Sequence, residues 1–184
     1  MIPPLDAETG YLPQGRYACT ESEIQERFVD HEDFAASKSR REVWEHYAAS
    51  RDFILQRVPL YRVWFAGSFM TAKIDPEDLD VTWVWDADAF EGLDDQEKIV
   101  LQQFAMGKGG LARFGLRIDS YAVPWRCIPA PTTDLVSLDP YFRFRGYWDD
   151  WWLRARTGPK DAPPKQEDAY PRRGYLEVTI REHA

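Results

Sequence analysis

The chain has 184 residues, of which 44% are hydrophobic and 15% aromatic, enough for one domain with a substantial core. Its formal net charge of −8 disfavours nucleic acid as the main ligand, because an acidic surface cannot use the general attraction to phosphates. Two distant cysteines, Cys19 and Cys127, and the lack of a long apolar run exclude a disulfide scaffold, a zinc cluster and a membrane span, so we expect a cytoplasmic protein with reduced thiols.

The first part of the chain predicts an extended arm followed by two helices. Residues 1–19 are rich in Pro and Gly, which is typical of an irregular segment. Thr20-Glu21-Ser22-Glu23 has the form of a capping box and predicts a helix that ends near His31. Ser39-Arg40-Arg41-Glu42 repeats this signature before a longer helix that extends to about Val58.

The remainder of the chain predicts a small sheet with helices between and after its strands. Runs of β-branched and aromatic residues predict strands over 61–66, 79–85, 116–123 and 174–180. Helices are expected over 94–106, ended by Gly107, and over 140–156, with a Pro-rich loop over 157–173. The pattern indicates a single α/β (α+β) domain over residues 1–184, with a C-terminal helix and last strand within 140–184.

Two carboxylates stand at the start of the second strand, in the run Asp78-Leu79-Asp80. Residues two apart on a strand point the same way, so both carboxylates are expected on one face, with Leu79 turned towards a core. At an effective dielectric near 20 their repulsion costs on the order of 2 kcal/mol, and a divalent cation converts that cost into affinity. Oxygen ligands at this density suit Mg²⁺ or Mn²⁺.

A third acid, Asp119, lies inside the apolar run over 116–123. A carboxylate within a strand is costly unless it is paired or bound to a metal. If this strand lies beside the Asp78/Asp80 strand, the three carboxylates converge and can hold two cations, the arrangement used for in-line phosphoryl chemistry.

The strand that ends in Gly67-Ser68, the nine-residue gap before Asp78-Leu79-Asp80, and the later Ile118-Asp119-Ser120 resemble the signature of the DNA polymerase beta-like nucleotidyltransferase superfamily. This resemblance covers about residues 61–123, the expected catalytic core. More of the chain is similar to a family of short bacterial nucleotidyltransferase-like proteins, through the arm Pro4-Leu5-Asp6 to Gly15-Arg16 and the tail Arg173-Gly174-Tyr175-Leu176.

The resemblance implies a minimal nucleotidyltransferase fold, with a small mixed sheet, and a role for each matched residue. Asp78 and Asp80 would hold both metal ions, and Asp119 would bind the catalytic metal and help to activate an acceptor hydroxyl. Gly67 and Ser68 would contact the triphosphate of a nucleoside triphosphate, since a small residue allows close approach. We add Lys73, whose charge in the connecting loop could neutralise the β- and γ-phosphates.

Each of these residues also has a structural alternative. Gly67-Ser68 could be a simple turn, and Asp78 could be a turn residue after Pro76 with Asp80 solvated on an edge strand. Asp119 could form a salt bridge with Arg117 or Arg126. The run Gly107-Lys108-Gly109-Gly110 resembles a phosphate loop in composition but lacks the spacing of one, so a flexible loop after a helix is expected. Trp148, Trp151 and Trp152 have the spacing of a core-facing helical stripe, with a base-stacking wall as the alternative.

Two functions from different classes follow from these expectations. The first is a metal-dependent nucleotidyltransferase that transfers NMP from an NTP to a hydroxyl of a protein, an RNA or a small molecule. The second is a non-catalytic, nucleotide-binding module with the same fold and a protein partner, in a toxin–antitoxin or phage-defence system. The sequence does not identify the acceptor.

Overall fold

The structure is a computed structural model that describes residues 1–109, 111–134, 139–159 and 161–180. These residues form an α+β architecture, as expected from the sequence, with six strands in one mixed sheet. The strands are β1 (Gly15–Cys19), β2 (Leu60–Ala66), β3 (Leu79–Asp86), β4 (Met106–Gly107), β5 (Ile118–Trp125) and β6 (Gly174–Thr179). The helices are α1 (Glu21–Phe28), α2 (Arg40–Leu55), α3 (Ala87–Gly92), α4 (Asp95–Phe104) and α5 (Pro140–Leu153).

The strand order in the sheet is β1-β6-β2-β3-β5-β4. β3 lies between β2, to which it is antiparallel, and β5, to which it is parallel. β6 separates β1 from β2, so the N-terminal and C-terminal parts of the chain meet at one side of the sheet. The strand that carries Asp80 is therefore internal, with hydrogen-bonded neighbours on both sides.

The two faces of the sheet pack against different helices. On one face Leu79, Val81 and Trp83 are buried in the main core, where the Trp83 ring stacks on Tyr47 of α2 with 5.7 Å between ring centroids. Full burial of each such side chain stabilises the fold by about 1.5–3 kcal/mol. The opposite face carries Thr82, whose hydroxyl accepts a 3.0 Å hydrogen bond from the indole of Trp152 on α5. The alternation places Asp80 on this α5 face, as expected from the strand period.

The structure differs from the sequence-based expectation in the N-terminal region. Residues 15–19 are not part of an irregular arm but form β1, because they gain a parallel partner in β6. The capping box at Thr20 is confirmed, although α1 ends at Phe28 rather than near His31. The prediction of a second capping box at Ser39 is wrong. The Ser39 side chain forms no capping hydrogen bond, and Ser37 Oγ instead accepts a hydrogen bond from the backbone N–H of Arg40.

Differences in the C-terminal half concern the ends of elements. The helix expected to reach Met106 ends at Phe104, and Met106–Gly107 form the short strand β4 beside β5. β5 is shifted by two residues from the expected strand and continues through Pro124. Helix α5 ends at Leu153, before the expected Arg156, and the short helix α3 was not expected.

Candidate active site

The structure brings two of the expected carboxylates to facing positions. Asp80 of β3 and Asp119 of β5 are partners in the parallel strand register. Adjacent strands are about 4.8 Å apart, and both residues occupy the α5 face at the start of their strands. Asp78 lies one residue before β3, half-buried, and its charge acts on Asp80. β5, the strand that carries the third acid, thus lies beside β3, as the expected site requires.

The structural alternatives for Asp80 and Asp119 do not hold, whereas Asp78 does lie in the connecting segment before β3. Asp80 cannot be an edge-strand residue, because β3 is internal. Arg117 bridges to Glu42 on α2, and Arg126 bridges to Asp88 and Glu91 on α3. Asp119 instead accepts a 3.1 Å hydrogen bond from the backbone N–H of Gly109. Asp119 is 8% exposed and therefore almost fully buried.

Gly67 directly follows β2 and lies against the side chain of Asp80. Its backbone has φ 77° and ψ −162°, a combination that essentially only glycine adopts. A Cβ at this position would overlap Oδ2 of Asp80 and lie 2.7 Å from its Cγ. The residue after β2 must therefore be glycine so that the Asp80 carboxylate can occupy its position. Ser68 begins the 3-10 turn that follows, and its carbonyl accepts a 2.7 Å hydrogen bond from the Thr71 hydroxyl.

The connecting loop after this turn is fixed by a buried arginine. The Arg40 guanidinium, at the start of α2, donates to the carbonyls of Phe69 (2.7 Å), Thr71 (2.9 Å) and Lys73 (2.6 Å), and also to that of Phe28 (3.0 Å). Its carbon Cζ lies 3.8 Å from the centroid of the Phe34 ring. Burial lowers the pKa of Arg40 to about 10. The sequence singled out Arg40 only as part of a capping signature, yet its side chain ties the expected phosphate turn to α2.

Two cations that the sequence did not single out for the site act on Asp80. They are Arg173, which precedes β6, and Lys108, which follows β4. Burial lowers the pKa of the Arg173 guanidinium, and the charges of Asp80 and Tyr11 oppose that shift. Arg173 Nε donates to the Trp152 carbonyl at 3.2 Å. The expected cation Lys73 has an exposed position in the connecting loop, with its carbonyl bound to Arg40.

The glycine-rich run after α4 contributes to the site in a way its composition did not reveal. Gly107 pairs with Ser120 of β5, Lys108 acts electrostatically on Asp80, and Gly109 donates its N–H to Asp119. The interpretation of this run as a flexible loop was wrong for Gly107. The available signal was its sequence Gly-Lys-Gly in the segment between α4 and the strand that carries the third acid. Gly110 lies outside the described residues.

The electrostatics at Asp80 are those of a crowded carboxylate site. Burial, followed by the charges of Asp78 and Asp119, raises the pKa of Asp80 from 3.8 to about 7, against the smaller effects of Arg173 and Lys108. Among the described residues, no group of three or more His, Cys, Asp or Glu side chains is arranged to hold a metal ion as they stand. Repulsion among ionised carboxylates opposes such an arrangement, and a divalent cation would reverse it. Asp80, Asp119 and Asp78 nevertheless supply carboxylate oxygens, the donor type that a hard divalent cation prefers.

Asp80→Asn is expected to stabilise the metal-free protein more at pH 8 than at pH 4. In the wild type the raised folded-state pKa means that the native state binds a proton more tightly than the unfolded chain does. That stabilisation is complete below about pH 3.8 and is lost as the pH rises through about 7, whereas Asn does not titrate. The rise in the pKa of Asp80 from 3.8 to about 7 corresponds to about 4 kcal/mol of unfolding free energy for a fully buried group. Because the Asp80 residue is partly exposed, we expect a change of about 2 kcal/mol.

Urea unfolding at a series of pH values, in the presence of a chelator, measures this difference. The control is Glu45→Gln, which changes an exposed carboxylate of α2 and should alter the free energy of unfolding by less than about 0.5 kcal/mol throughout. A large loss of stability in Asp80→Asn at pH 8 would identify Asp80 as a structural ion-pair partner and contradict the site.

Comparison with protein families gives one match, which spans residues 3–179 and therefore nearly all of the chain. The chain belongs to DUF6932, a family of unknown function. Comparison with curated proteins and with solved structures gives no match. The matched span includes the arm, all six strands and each site residue from Gly67 to Arg173, so these parts belong to one family unit. In the part of the chain that the structure describes, none of the helices combines the length and apolarity needed to cross a bilayer.

Proposed function

We propose that this protein is a metal-dependent nucleotidyltransferase that transfers NMP from a nucleoside triphosphate to an acceptor hydroxyl. The observation that carries the proposal is the pairing of Asp80 with Asp119 across β3 and β5, with Gly67 against the Asp80 carboxylate. β2, β3 and β5 thus bring the glycine and the two acids together at one end of the strands. The superfamily resemblance of Gly67-Ser68, Asp78-Leu79-Asp80 and Asp119 supports the same reaction.

In this proposal Asp78, Asp80 and Asp119 hold Mg²⁺ or Mn²⁺. Such ions lower the pKa of a bound hydroxyl and stabilise the charge on a leaving pyrophosphate. The acceptor oxygen forms a bond to the α-phosphorus, and the bond from that phosphorus to the bridging α–β oxygen breaks. Asp119 accepts the hydroxyl proton, and pyrophosphate leaves with the electrons of the broken bond.

The remaining residues would bind the triphosphate. Gly67 and Ser68, in the turn directly after β2, would contact the triphosphate through backbone N–H groups and the Ser68 hydroxyl. Lys108 and Arg173, whose charges act on Asp80, are placed to neutralise phosphate oxygens beside the carboxylates. Lys73 stays a further prediction for the β- and γ-phosphates.

Pyrophosphate release in the presence of Mg²⁺ or Mn²⁺ tests the reaction, with each NTP in turn and a cell lysate as the source of acceptor. Asp119→Asn is expected to lower the rate at least about 100-fold, or about 2.7 kcal/mol of barrier, because removing one preorganised electrostatic group has that effect in comparable sites. The variant should fold and still bind nucleotide, since Asp78 and Asp80 are retained.

The matched control is Asp52→Asn, which changes an exposed aspartate of α2. Its rate should equal that of the wild type. A wild type that releases no pyrophosphate with any NTP and lysate would refute the enzyme and leave a non-catalytic binding module. An active wild type matched by Asp119→Asn would keep the reaction and remove the role of Asp119.

A further inference from the structure

A row of aromatic rings begins beside the carboxylates. Tyr121 follows Asp119 by two residues on β5, so both side chains occupy the same face of the sheet. The Tyr121 ring centroid lies 4.4 Å from that of Trp148 on α5. A Cβ at Gly107 would lie 2.6 Å from Cε1 of Tyr121, so the glycine of β4 makes room for this ring.

The row continues on the outer surface of α5. Phe144, Tyr147 and Trp151 are spaced three and four residues apart, which sets them on one face of the helix. They are 38%, 53% and 45% exposed. Helix α5 therefore carries an exposed aromatic stripe in addition to the buried Trp152, and the expectation that its tryptophans form a core stripe holds fully only for Trp152.

Tyr147 connects the two parts of the row. Its ring meets Trp148 edge-to-face at 4.9 Å between centroids and stacks on Trp151 at 6.0 Å, with 9° between the ring planes. We call Tyr121, Tyr147, Trp148 and Trp151 the aromatic ledge. It runs from Tyr121, two residues after Asp119, through Trp148 to the exposed rings of Tyr147 and Trp151.

We propose that the aromatic ledge binds a nucleobase next to the carboxylate site. This inference rests on the proposed function, which places phosphates at the carboxylates. Exposed, rigid rings that adjoin a phosphate site suit a flat heterocycle, because every base has a π-face that stacks on an aromatic side chain. The base can belong to the NTP or to the terminal nucleotide of a nucleic-acid acceptor, and the two sources are separated experimentally.

Calorimetric titration in Mn²⁺ compares three ligands: an NTP, inorganic tripolyphosphate, and a short single-stranded oligoribonucleotide with a free 3′-hydroxyl. Tyr147→Ala is expected to weaken binding of at least one base-containing ligand about tenfold, the loss of one stacked ring, and to leave tripolyphosphate binding unchanged. Tyr147→Phe keeps the ring and should restore wild-type affinity. Phe114→Ala removes an exposed ring outside the ledge and should have no effect.

The pattern of losses identifies the source of the base. Weaker NTP binding assigns the ledge to the nucleotide substrate, and weaker oligonucleotide binding assigns it to the acceptor. Equal affinities of Tyr147→Ala and wild type for both ligands would overturn the proposal. If tripolyphosphate fails to bind the wild type while NTP binding still depends on Tyr147, the ledge is supported and the metal–phosphate part of the proposed function fails.

Discussion

Arg40→Met is expected to lower the free energy of unfolding by about 3–5 kcal/mol. The substitution keeps most of the buried stem but leaves the carbonyls of Phe69, Thr71 and Lys73 without their charged donor. Each buried acceptor left unsatisfied costs about 1–3 kcal/mol, and relaxation of the loop recovers part of the total. For a domain of this size the melting temperature should fall by roughly 10 °C.

The control is the adjacent Arg41→Met, because the Arg41 side chain is exposed and its ion pair with Asp30 lies at the surface. Surface pairs contribute about 0–1 kcal/mol, so Arg41→Met should unfold close to the wild type. Hydrogen exchange of the backbone amides provides the local measurement. In Arg40→Met, the protection of residues 67–75 should fall more than the protection of the residues in α2. An Arg40→Met protein within 1 kcal/mol of the wild type would show that other contacts hold the loop.

Gly67→Ala is expected to destabilise the fold by about 3 kcal/mol or more and to abolish pyrophosphate release. A left-handed, extended conformation costs a non-glycine residue about 1–3 kcal/mol, and the new Cβ overlaps Oδ2 of Asp80. The carboxylate must turn away or the turn must move, and either change separates Asp80 from Asp119. Chemical unfolding and the pyrophosphate assay measure the two effects separately.

Gly115→Ala separates strain from overlap. Gly115 has φ 76° but nothing lies within 4 Å of a Cβ added there, so only the backbone cost of about 1 kcal/mol is expected. The double variant with Gly67→Ala and Asp80→Ala should lose less unfolding free energy than the sum of the two single losses. Without the Asp80 carboxylate, the new Cβ at position 67 would lie 3.1 Å from the Cβ at position 80. Additive losses would mean that the glycine is required for its backbone alone.

The parts of the fold that could be predicted from the sequence depend on local chemistry. Strand composition located β2, β3 and β6 to within a residue at each end, and the Asp-x-Asp spacing placed Asp80 opposite the buried face of Leu79. The Thr20 cap was recognisable because its partner Glu23 is three residues away. Such signals need only a few neighbouring residues.

The parts that could not be predicted depend on contacts between distant segments. β1 is a strand only because β6, more than 150 residues later, pairs with it. Arg173 and Lys108 reach Asp80 through the order of strands in the sheet, which no local pattern encodes. In the sequence, Arg40 has the position of a residue in the first turn of a helix. The four carbonyl groups that accept hydrogen bonds from its side chain lie 12 to 33 positions away.

The position of β6 also determines when the chain can finish folding during synthesis. β6, at the centre of the β1-β6-β2 region, is the last of the six described strands to leave the ribosome. Until then β2 exposes an unpaired edge that carries Val63, Trp64 and Phe65, and β1 has no partner. An apolar strand edge of this kind can pair with another nascent chain. Translational pausing before Gly174 would prolong that exposure, so we expect this strand order to link the yield of folded protein to the speed of elongation.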